Sequence, residues 1–541
     1  KQATLLALDS TTAISLPVSA PPGALLNANG RPRGGLEVNL QTSLAGGLPG
    51  VRQWFTAYPY TCLEQLGSKA IGLRSSEQWQ ALMHKLPDYL DPDGLAAYFP
   101  GARQGSEVLT AYLLAASHEA QALGLPFAIP DAAKEAMTRG LVAFVEGKVV
   151  RNRWAPQADL DVRKLLVIEA LSREGMVNAR MLGSIEIVPD RWPTSAVIDW
   201  LAILQRVSSI PNRQASLAHA REIIQARMLS RGAELVFADD AQNNWWWLML
   251  GPEVNAAKLM LTVMGQPGWD DDMPRLAQGL IMRQSNGAWR TTTANLMGSL
   301  ALEKFARHYE HASLTGKTLV GIEGGQNIQE LAWDTLIPKK TGAKASSLND
   351  PALKTQEIFQ SWPGAQPATL TIQHKGAGQG WASVRSLAAV PVTKPAMAGY
   401  TVTRQLTPVS QAVPGVWSRG DVYRVRIDII AKTATTWAVL SDPVPAGAVI
   451  LGSGLRRDSA ISTGSENSNK TVAPSFVERS FESYRAYFEY LPQGATHLEY
   501  TVRLNSVGQF YLPATRIEAL YQPDVYGAVP NSDGLTVQAG K

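Results

Sequence analysis

Residues 58–65 read YPYTCLEQ. They hold the single cysteine of a 541-residue chain, Cys62, followed closely by a carboxylate and an amide at Glu64 and Gln65. Just beyond, Leu63, Leu66, Ala70 and Leu73 recur on one helical face, which places Cys62 near a helix N-terminus. Backbone N–H groups and the helix dipole favour an anion there, so the expectation is a stabilised thiolate that serves as nucleophile or leaving group. The structural alternative is an inert cysteine packed as a small hydrophobe.

Several chemistries compete for a lone thiol. A cysteine hydrolase needs a histidine in reach and a third group to orient it. His84 and His118 lie in the same stretch of chain as Cys62, but neither stands in a catalytic motif, and both read as helix-face residues. A metal site fails for want of a second cysteine or paired histidines at ligand spacing. The remaining partner is Gln65, whose side-chain carbonyl can approach the sulfur across one helical turn. Loss of ammonia would join the two as an internal thioester, an activated acyl group. An incoming amine or hydroxyl would attack the Gln65 carbonyl, and Cys62 would leave as thiolate. Such a bond must be kept dry, and the flank WFTAYPY offers Tyr58 and Tyr60 as candidate shields, with ordinary aromatic core as the alternative.

Outward from this stretch the texture changes twice. Residues 1–38 look β-like, with short apolar runs and a Pro/Gly/Asn-rich break. From about 40 to 312, helical patterns follow one another, with helices predicted at 132–148, 159–173, 214–230, 253–264, 273–284 and 291–309. Helical pairs in series must bury their inner faces, either in a closed ring of hairpins or in an open solenoid. From about 313 the β texture returns in LTIQHK, GYTVTRQL, VYRVRIDII and HLEYTVRL. The last ~145 residues read as an antiparallel sandwich, with GSENSNKT as a polar loop. Strands on both sides of the helical stretch suggest a β domain interrupted by a helical one.

Composition removes whole classes of function. A net charge of +4 without a long basic run argues against nucleic acid as the main partner. No run of about 18 uninterrupted apolar residues suggests a membrane span. One cysteine gives no disulfide framework and leaves the compartment open. The chain begins KQATLLALDS, without Met or a signal pattern, and is expected to be a fragment or processed form.

C-L-E-Q resembles the CxEQ thioester motif of the alpha-2-macroglobulin and complement family, and Y-P-Y-x-C-x-E-Q resembles its bacterial members. The C-terminal stretch from SFVERSFESYRAYFEYL to IEALYQPDVYG is also similar to the last domain of the bacterial proteins. The resemblance covers essentially the whole chain but only the C-terminal part of such a protein. It implies a multidomain α plus β fold: an α/α toroid thioester domain at 39–312, inserted in a β CUB-like domain at 1–38 and 313–394. An antiparallel β-sandwich of macroglobulin or receptor-binding type would follow at 395–541. It implies a single-use endopeptidase inhibitor rather than an enzyme. Bait cleavage upstream would expose a Cys62–Gln65 thioester that acylates surface lysines of the attacking protease, with Glu64 as part of the motif.

By the same resemblance, Leu520 and Tyr521 in EALYQPD stand where a short loop locks the thioester site. Read alone they are a strand end before Pro523. The expected partners are target proteases and upstream macroglobulin domains of the same chain, in the periplasm and associated with inner-membrane or periplasmic partners. No cofactor is called for. Thr61 departs from the family's usual Gly, and a left-handed backbone there would be strained.

Two further features have competing readings. NNWWWLML at 243–250, on a helix, would point its three tryptophans in three directions, which favours packing over ligand stacking. Asp239–Asp240 and Asp270–Asp272 could be the paired acids of a polysaccharide-degrading α/α-toroid enzyme, but lie in breaks where Asp caps and turns. A non-covalent interaction scaffold with a lost thioester is the third class.

Overall fold

The structure, a computed structural model, describes residues 4–8, 10–44, 48–310, 314–323, 328–333, 355–364, 366–390, 392–451, 472–531 and 534–540. The loop GSENSNKT and His311 lie outside these residues. The chain divides into two compact units, residues 1–390 and 391–541.

Among the described residues the first unit combines helices with two four-stranded antiparallel sheets and a two-stranded hairpin. Among the described residues its helices are α1 (Pro49–Ala57), α2 (Leu63–Gly72), α3 (Ser76–Lys85), α4 (Glu107–Ala122), α5 (Asp131–Val145), α6 (Leu160–Arg173), α7 (Ala179–Leu182), α8 (Thr194–Arg206), α9 (Arg213–Arg227), α10 (Pro252–Val263), α11 (Met273–Met282) and α12 (Thr292–Tyr309). The long even-numbered helices form a circuit. α2 packs on α4, α4 on α6, α6 on α8, α8 on α10 and α10 on α12, and α12 returns to α2. Burial separates two layers. In α8 every residue from Thr194 to Leu204 is buried, whereas α9 buries only Ala220 and Ile224. A helix buried all round belongs inside a core, and one with a narrow apolar stripe covers it.

The sequence-predicted helix 214–230 stops early, because Met228–Arg231 turns into a hairpin with Glu234–Phe237. Gly232, at φ 61°, opens the two-residue turn, and a positive φ at the first turn position matches the twist of the strands. The alternation in LSRGAELVF is too short to stand out beside a long helical pattern.

Strands from both ends of this unit interleave. Gly34–Gln41 pairs antiparallel with Thr355–Ser361 on one side and with Gly380–Ala388 on the other, and Thr4–Leu8 adds outside the latter. In the second sheet Ile14–Val18 pairs with Ala368–Lys375, which pairs with Lys317–Ile322. Leu36, Val38 and Leu40 share one core with Val320, Ile322, Leu370, Ile372 and Val384. The polypeptide therefore leaves this β core before α1 and returns to it after α12.

Among its described residues the second unit holds β-strands and no helix. A six-stranded sheet contains Thr435–Pro443, Ser483–Leu491, Thr515–Ala519 and Gln522–Val529, and a four-stranded sheet contains Tyr400–Ser410, Val422–Ala431 and Gly494–Arg503. Along Val422–Ala431 the period-2 pattern read from VYRVRIDII sends Tyr423, Val425, Ile427 and Ile429 inward. Buried Asp442 anchors this core: its carboxylate accepts from Arg404 at 2.9 Å and from the hydroxyls of Tyr500 and Thr515. Among the described residues no helix is long and apolar enough to cross a membrane.

Candidate functional site: Cys62 and Gln65 at the start of α2

Cys62 is the N-cap of α2, with φ −68° and ψ 162°, and is fully buried. It faces Gln65 in a reciprocal arrangement. The Gln65 backbone N–H points at the sulfur, and the Gln65 side-chain Oε1 accepts from the Cys62 backbone N–H at 3.3 Å. This is the capping-box geometry, with sulfur in place of the usual hydroxyl and an amide as the returning acceptor. The Cys62 N–H can only donate, so the amide oxygen is fixed on that side and Nε2 on the other. Nε2 donates to the Tyr58 hydroxyl at 3.2 Å. The Gln65 amide is thus anchored to the cap residue, its oxygen polarised by the Cys62 backbone N–H.

The approach to the cap is extended. Positive φ at non-glycine residues occurs at Arg74, Asn212, Met249, Asn286 and Trp437 among the described residues, and Thr61 is not one of them. The strain expected at Thr61 therefore does not arise, because the backbone enters α2 without a left-handed residue. A loop secures the cap from outside: the Leu63 N–H donates to the Tyr98 carbonyl at 2.8 Å. That loop hangs on Asp91, whose carboxylate accepts the N–H groups of Asp93, Leu95 and Gly105 and the Arg151 guanidinium. Gly105 is required here, since a Cβ would lie 2.1 Å from the Leu95 carbonyl oxygen.

Glu64 has a structural role that the motif alone does not reveal. Its side chain is fully buried. One oxygen accepts from Ser68 Oγ at 2.7 Å, and the other from Thr292 Oγ1 at 2.8 Å. Ser68 in turn shares a hydrogen with the Tyr112 hydroxyl at 2.7 Å. Thr292 is the first residue of α12, so the carboxylate lies in the opening turns of two helices, where both dipoles favour negative charge. Glu64 joins the first and last helices of the circuit. Replacing Thr292 by valine should cost about 1.5–3 kcal/mol, the range for a hydrogen bond to a charged group. Chemical denaturation of the helical part measures this directly.

The thiol behaves oppositely to the sequence-based expectation. Burial, and secondly the neighbouring Glu64 charge, push the Cys62 pKa well above the usual thiol range. The amide N–H groups of Gln65 and Glu64 act in the other direction and are outweighed. A helix N-terminus stabilises a thiolate only where desolvation does not exceed the dipole term. Cys62 is consequently held as the neutral thiol in this state.

Tyr58 and Tyr60 lie beside the pair. Tyr58 is half-buried, stacks on Trp54 at 4.5 Å between centroids and meets Tyr60 edge-on at 5.3 Å. Tyr60 is buried. His118 faces Arg173 at 3.2 Å, and His84 is exposed in the last turn of α3. Asp239 pairs with Arg283, Asp240 closes a turn with the N–H groups of Gln242 and Asn243, and Asp270 accepts from Tyr309. The tryptophan run is not on an α-helix. Trp246–Leu248 form a short 3-10 turn, and the rings of Trp245 and Trp247 lie 4.9 Å apart, tilted by 31°.

Leu520 and Tyr521 are in the second unit. They form the two-residue turn between Thr515–Ala519 and Gln522–Val529, so they are a hairpin tip rather than a strand end. Neither has positive φ, and the pairing shifts between Glu518 and Ala519 to accommodate the turn. Such tips ordinarily use Asn, Asp or Gly. A buried Leu–Tyr pair is an apolar tip retained against turn preference.

Ser68, Tyr98, Tyr112 and Thr292 were not singled out from sequence. Ser68 lies one helical turn from Glu64 and carries a local signal, whereas Tyr98, Tyr112 and Thr292 reach the site only through the fold.

Residues 399–524 match the family described as Bacterial Alpha-2-macroglobulin MG10 domain. The chain is 20% identical over 499 residues to the "Alpha-2-macroglobulin homolog" of a Nostoc species, covering 89% of this chain and 25% of the relative. It therefore spans about a quarter of that relative's length. Its fold is similar to the native Escherichia coli alpha-2-macroglobulin structure running from domain MG7 to the C-terminus. The two share 15% identity with a TM-score of 0.67, over 99% of this chain and 82% of that one. A Salmonella alpha-2-macroglobulin reacted with methylamine is similar at 16% identity and a TM-score of 0.66, over 99% of this chain and 34% of that one. From end to end the chain is thus similar to the C-terminal part of the bacterial alpha-2-macroglobulins, and residues 399–524 carry the signature of their MG10 domain.

Proposed function

We propose that this chain is the C-terminal part of a covalent protease trap of the alpha-2-macroglobulin kind. Cys62 and Gln65 close an internal thioester. A protease cuts a bait region elsewhere in the longer protein, the molecule rearranges, and a lysine of the protease attacks the Gln65 carbonyl as Cys62 leaves. Each molecule reacts once, as an inhibitor and not as a turnover enzyme. In this reading 39–312 is an α/α toroid thioester domain inserted in a CUB-like domain at 1–38 and 313–394. Residues 395–541 are the macroglobulin-like sandwich. The working place is the periplasm, beside the inner membrane.

The carrying observation is the reciprocal hold between Cys62 and Gln65 at a fully buried N-cap. It supports the thioester because it supplies nucleophile, polarised carbonyl and exclusion of water together. The closed circuit of helices and the interleaved strands around it support the toroid and its insertion.

Intact mass with and without methylamine, together with a thiol titration, tests the reading. Fresh protein should be about 17 Da lighter than its sequence, with no titratable thiol, and methylamine should add about 31 Da and free one thiol. Full sequence mass and a free thiol from the outset would exclude a thioester in this chain. The shielding given to Leu520 and Tyr521 belongs to the same proposal. Tyr521→Gly should speed spontaneous thiol release about tenfold or more, on the order of the 1.4 kcal/mol that tenfold represents. An unchanged rate would remove the lock.

A further inference from the structure

The Tyr58 hydroxyl touches the one atom of Gln65 that must depart. With the amide intact, Nε2 donates to Tyr58 Oη at 3.2 Å, while Oε1 is held on the opposite side by the Cys62 N–H. The amide plane therefore lies between a backbone donor at its oxygen and a phenol at its nitrogen. Ammonia is expelled from an amide only when the nitrogen is protonated as the carbon–nitrogen bond breaks. The groups around Cys62 make thiolate attack followed by unassisted loss of amide anion untenable. The site is buried, and the Glu64 charge disfavours a thiolate at Cys62.

We propose that Tyr58 is the proton carrier of the thioester-forming reaction, and not only part of its shield. The proposal rests on the Cys62–Gln65 thioester reading. As Sγ bonds to Cδ, the carbon becomes tetrahedral and the nitrogen loses its amide resonance. Freed of resonance, the nitrogen can rotate about Cδ–Nε2 and turn its new lone pair to the Tyr58 oxygen that its N–H faced before. The phenol proton passes to nitrogen, the Cδ–Nε2 bond breaks, and ammonia leaves. The proton lost from the Cys62 thiol replaces the one that Tyr58 gave. One carbon–sulfur bond forms, one carbon–nitrogen bond breaks, and a single proton moves from sulfur to nitrogen with no oxidant or reductant. The Cys62 N–H holds the developing oxyanion throughout. Tyr58 is half-buried while Cys62 and Gln65 are buried, so the carrier also stands on the outward side, where ammonia can escape.

Microscopic reversibility extends the role to the trap itself. An amine arriving at the thioester carbonyl follows ammonia's path inward. Tyr58 then accepts its surplus proton and Cys62 leaves as the thiol. Loss of the hydroxyl therefore separates the two roles: a shield alone predicts no change, and the carrier predicts slower closure and slower reaction. Tyr58→Phe keeps the ring that stacks on Trp54 and meets Tyr60, and so keeps the shield. Trp54→Leu removes the stacking partner but keeps the hydroxyl.

The experiment is intact mass and thiol titration on the parent protein, Tyr58→Phe and Trp54→Leu, followed by the rate of methylamine addition. The expected result is a reduced thioester fraction in fresh Tyr58→Phe. What has formed should take up methylamine on the order of 10²-fold more slowly than the parent, the lower range for a lost general acid–base group. Trp54→Leu should form its thioester and react at least as fast as the parent. The proposal is overturned if Tyr58→Phe closes its thioester fully and reacts at the parental rate or faster. It is equally overturned if the two variants behave alike. Absence of a thioester in the parent protein is a different failure, that of the underlying reading, and is read in the same first measurement.

Discussion

Cys62→Ala is expected to abolish every covalent signature of the proposed thioester. Its fresh mass should equal its own sequence mass, without the deficit of about 17 Da that ring closure gives the parent, and methylamine should add nothing. The effect is complete, because no other side chain can substitute: Cys62 is the only cysteine in the chain. The fold should survive. Alanine at the cap loses one weak contact from the Gln65 N–H to sulfur, and N-cap replacement by alanine typically costs about 1 kcal/mol. The Leu63 N–H keeps its Tyr98 carbonyl. A variant that unfolded instead would show the cysteine to be a core element first and a reactive group second. Circular dichroism and mass spectrometry on one preparation separate the two.

The second large effect is expected at Glu64. Glu64→Ala leaves the hydroxyls of Ser68 and Thr292 buried without their acceptor and opens a cavity where the first and last helices of the circuit meet. Unpaired buried donors cost about 1–3 kcal/mol each, and the lost side chain adds a cavity term. Relief of a buried charge returns part, so a net loss of about 3–5 kcal/mol is expected. Denaturant unfolding of the helical part reads it. Glu64→Gln preserves shape and one acceptor, and isolates the charge. Without the carboxylate the Cys62 pKa should move back toward the ordinary thiol range, since that charge is the second cause of its rise. The sulfur then becomes a better leaving group, and spontaneous thioester loss should quicken. A Glu64→Gln variant as slow as the parent would mean that burial alone keeps the bond quiet.

The chain's coarse organisation was legible because periodicity is local. The predicted helix 132–148 corresponds to Asp131–Val145, and 291–309 to Thr292–Tyr309. The Cys62 N-cap was legible for the same reason: the apolar repeat of α2 begins one residue later. The ionisation of Cys62 was not. Its sign depends on how completely the sulfur is buried and on Glu64 being locked in place. That lock is made with Thr292, 228 residues away, and continues through Ser68 to Tyr112, 44 residues from Ser68. Neither partner carries a motif. Leu520 and Tyr521 read alone as a strand end before Pro523 and by resemblance as a short loop, and the pairing of Ala519 with Gln522 makes them a two-residue turn. At Cys62 tertiary partners overrode a correct local rule.

The interleaved strands of the first unit have a consequence for the order of events during synthesis. Gly34–Gln41 emerges early, but its neighbours Thr355–Ser361 and Gly380–Ala388 follow only after roughly 300 more residues. At ~5–20 residues per second that is a wait on the order of 15–60 s, with both long edges of a hydrophobic strand open. All the described helices, by contrast, are complete once Tyr309 has been made. The helical circuit can therefore close, and bury Cys62 against Gln65, while the sheet that brackets it is still without half its strands. The nascent chain would then carry its reactive bond before the domain around it exists, and the exposed early strands, not the helices, are where a chaperone has most to protect.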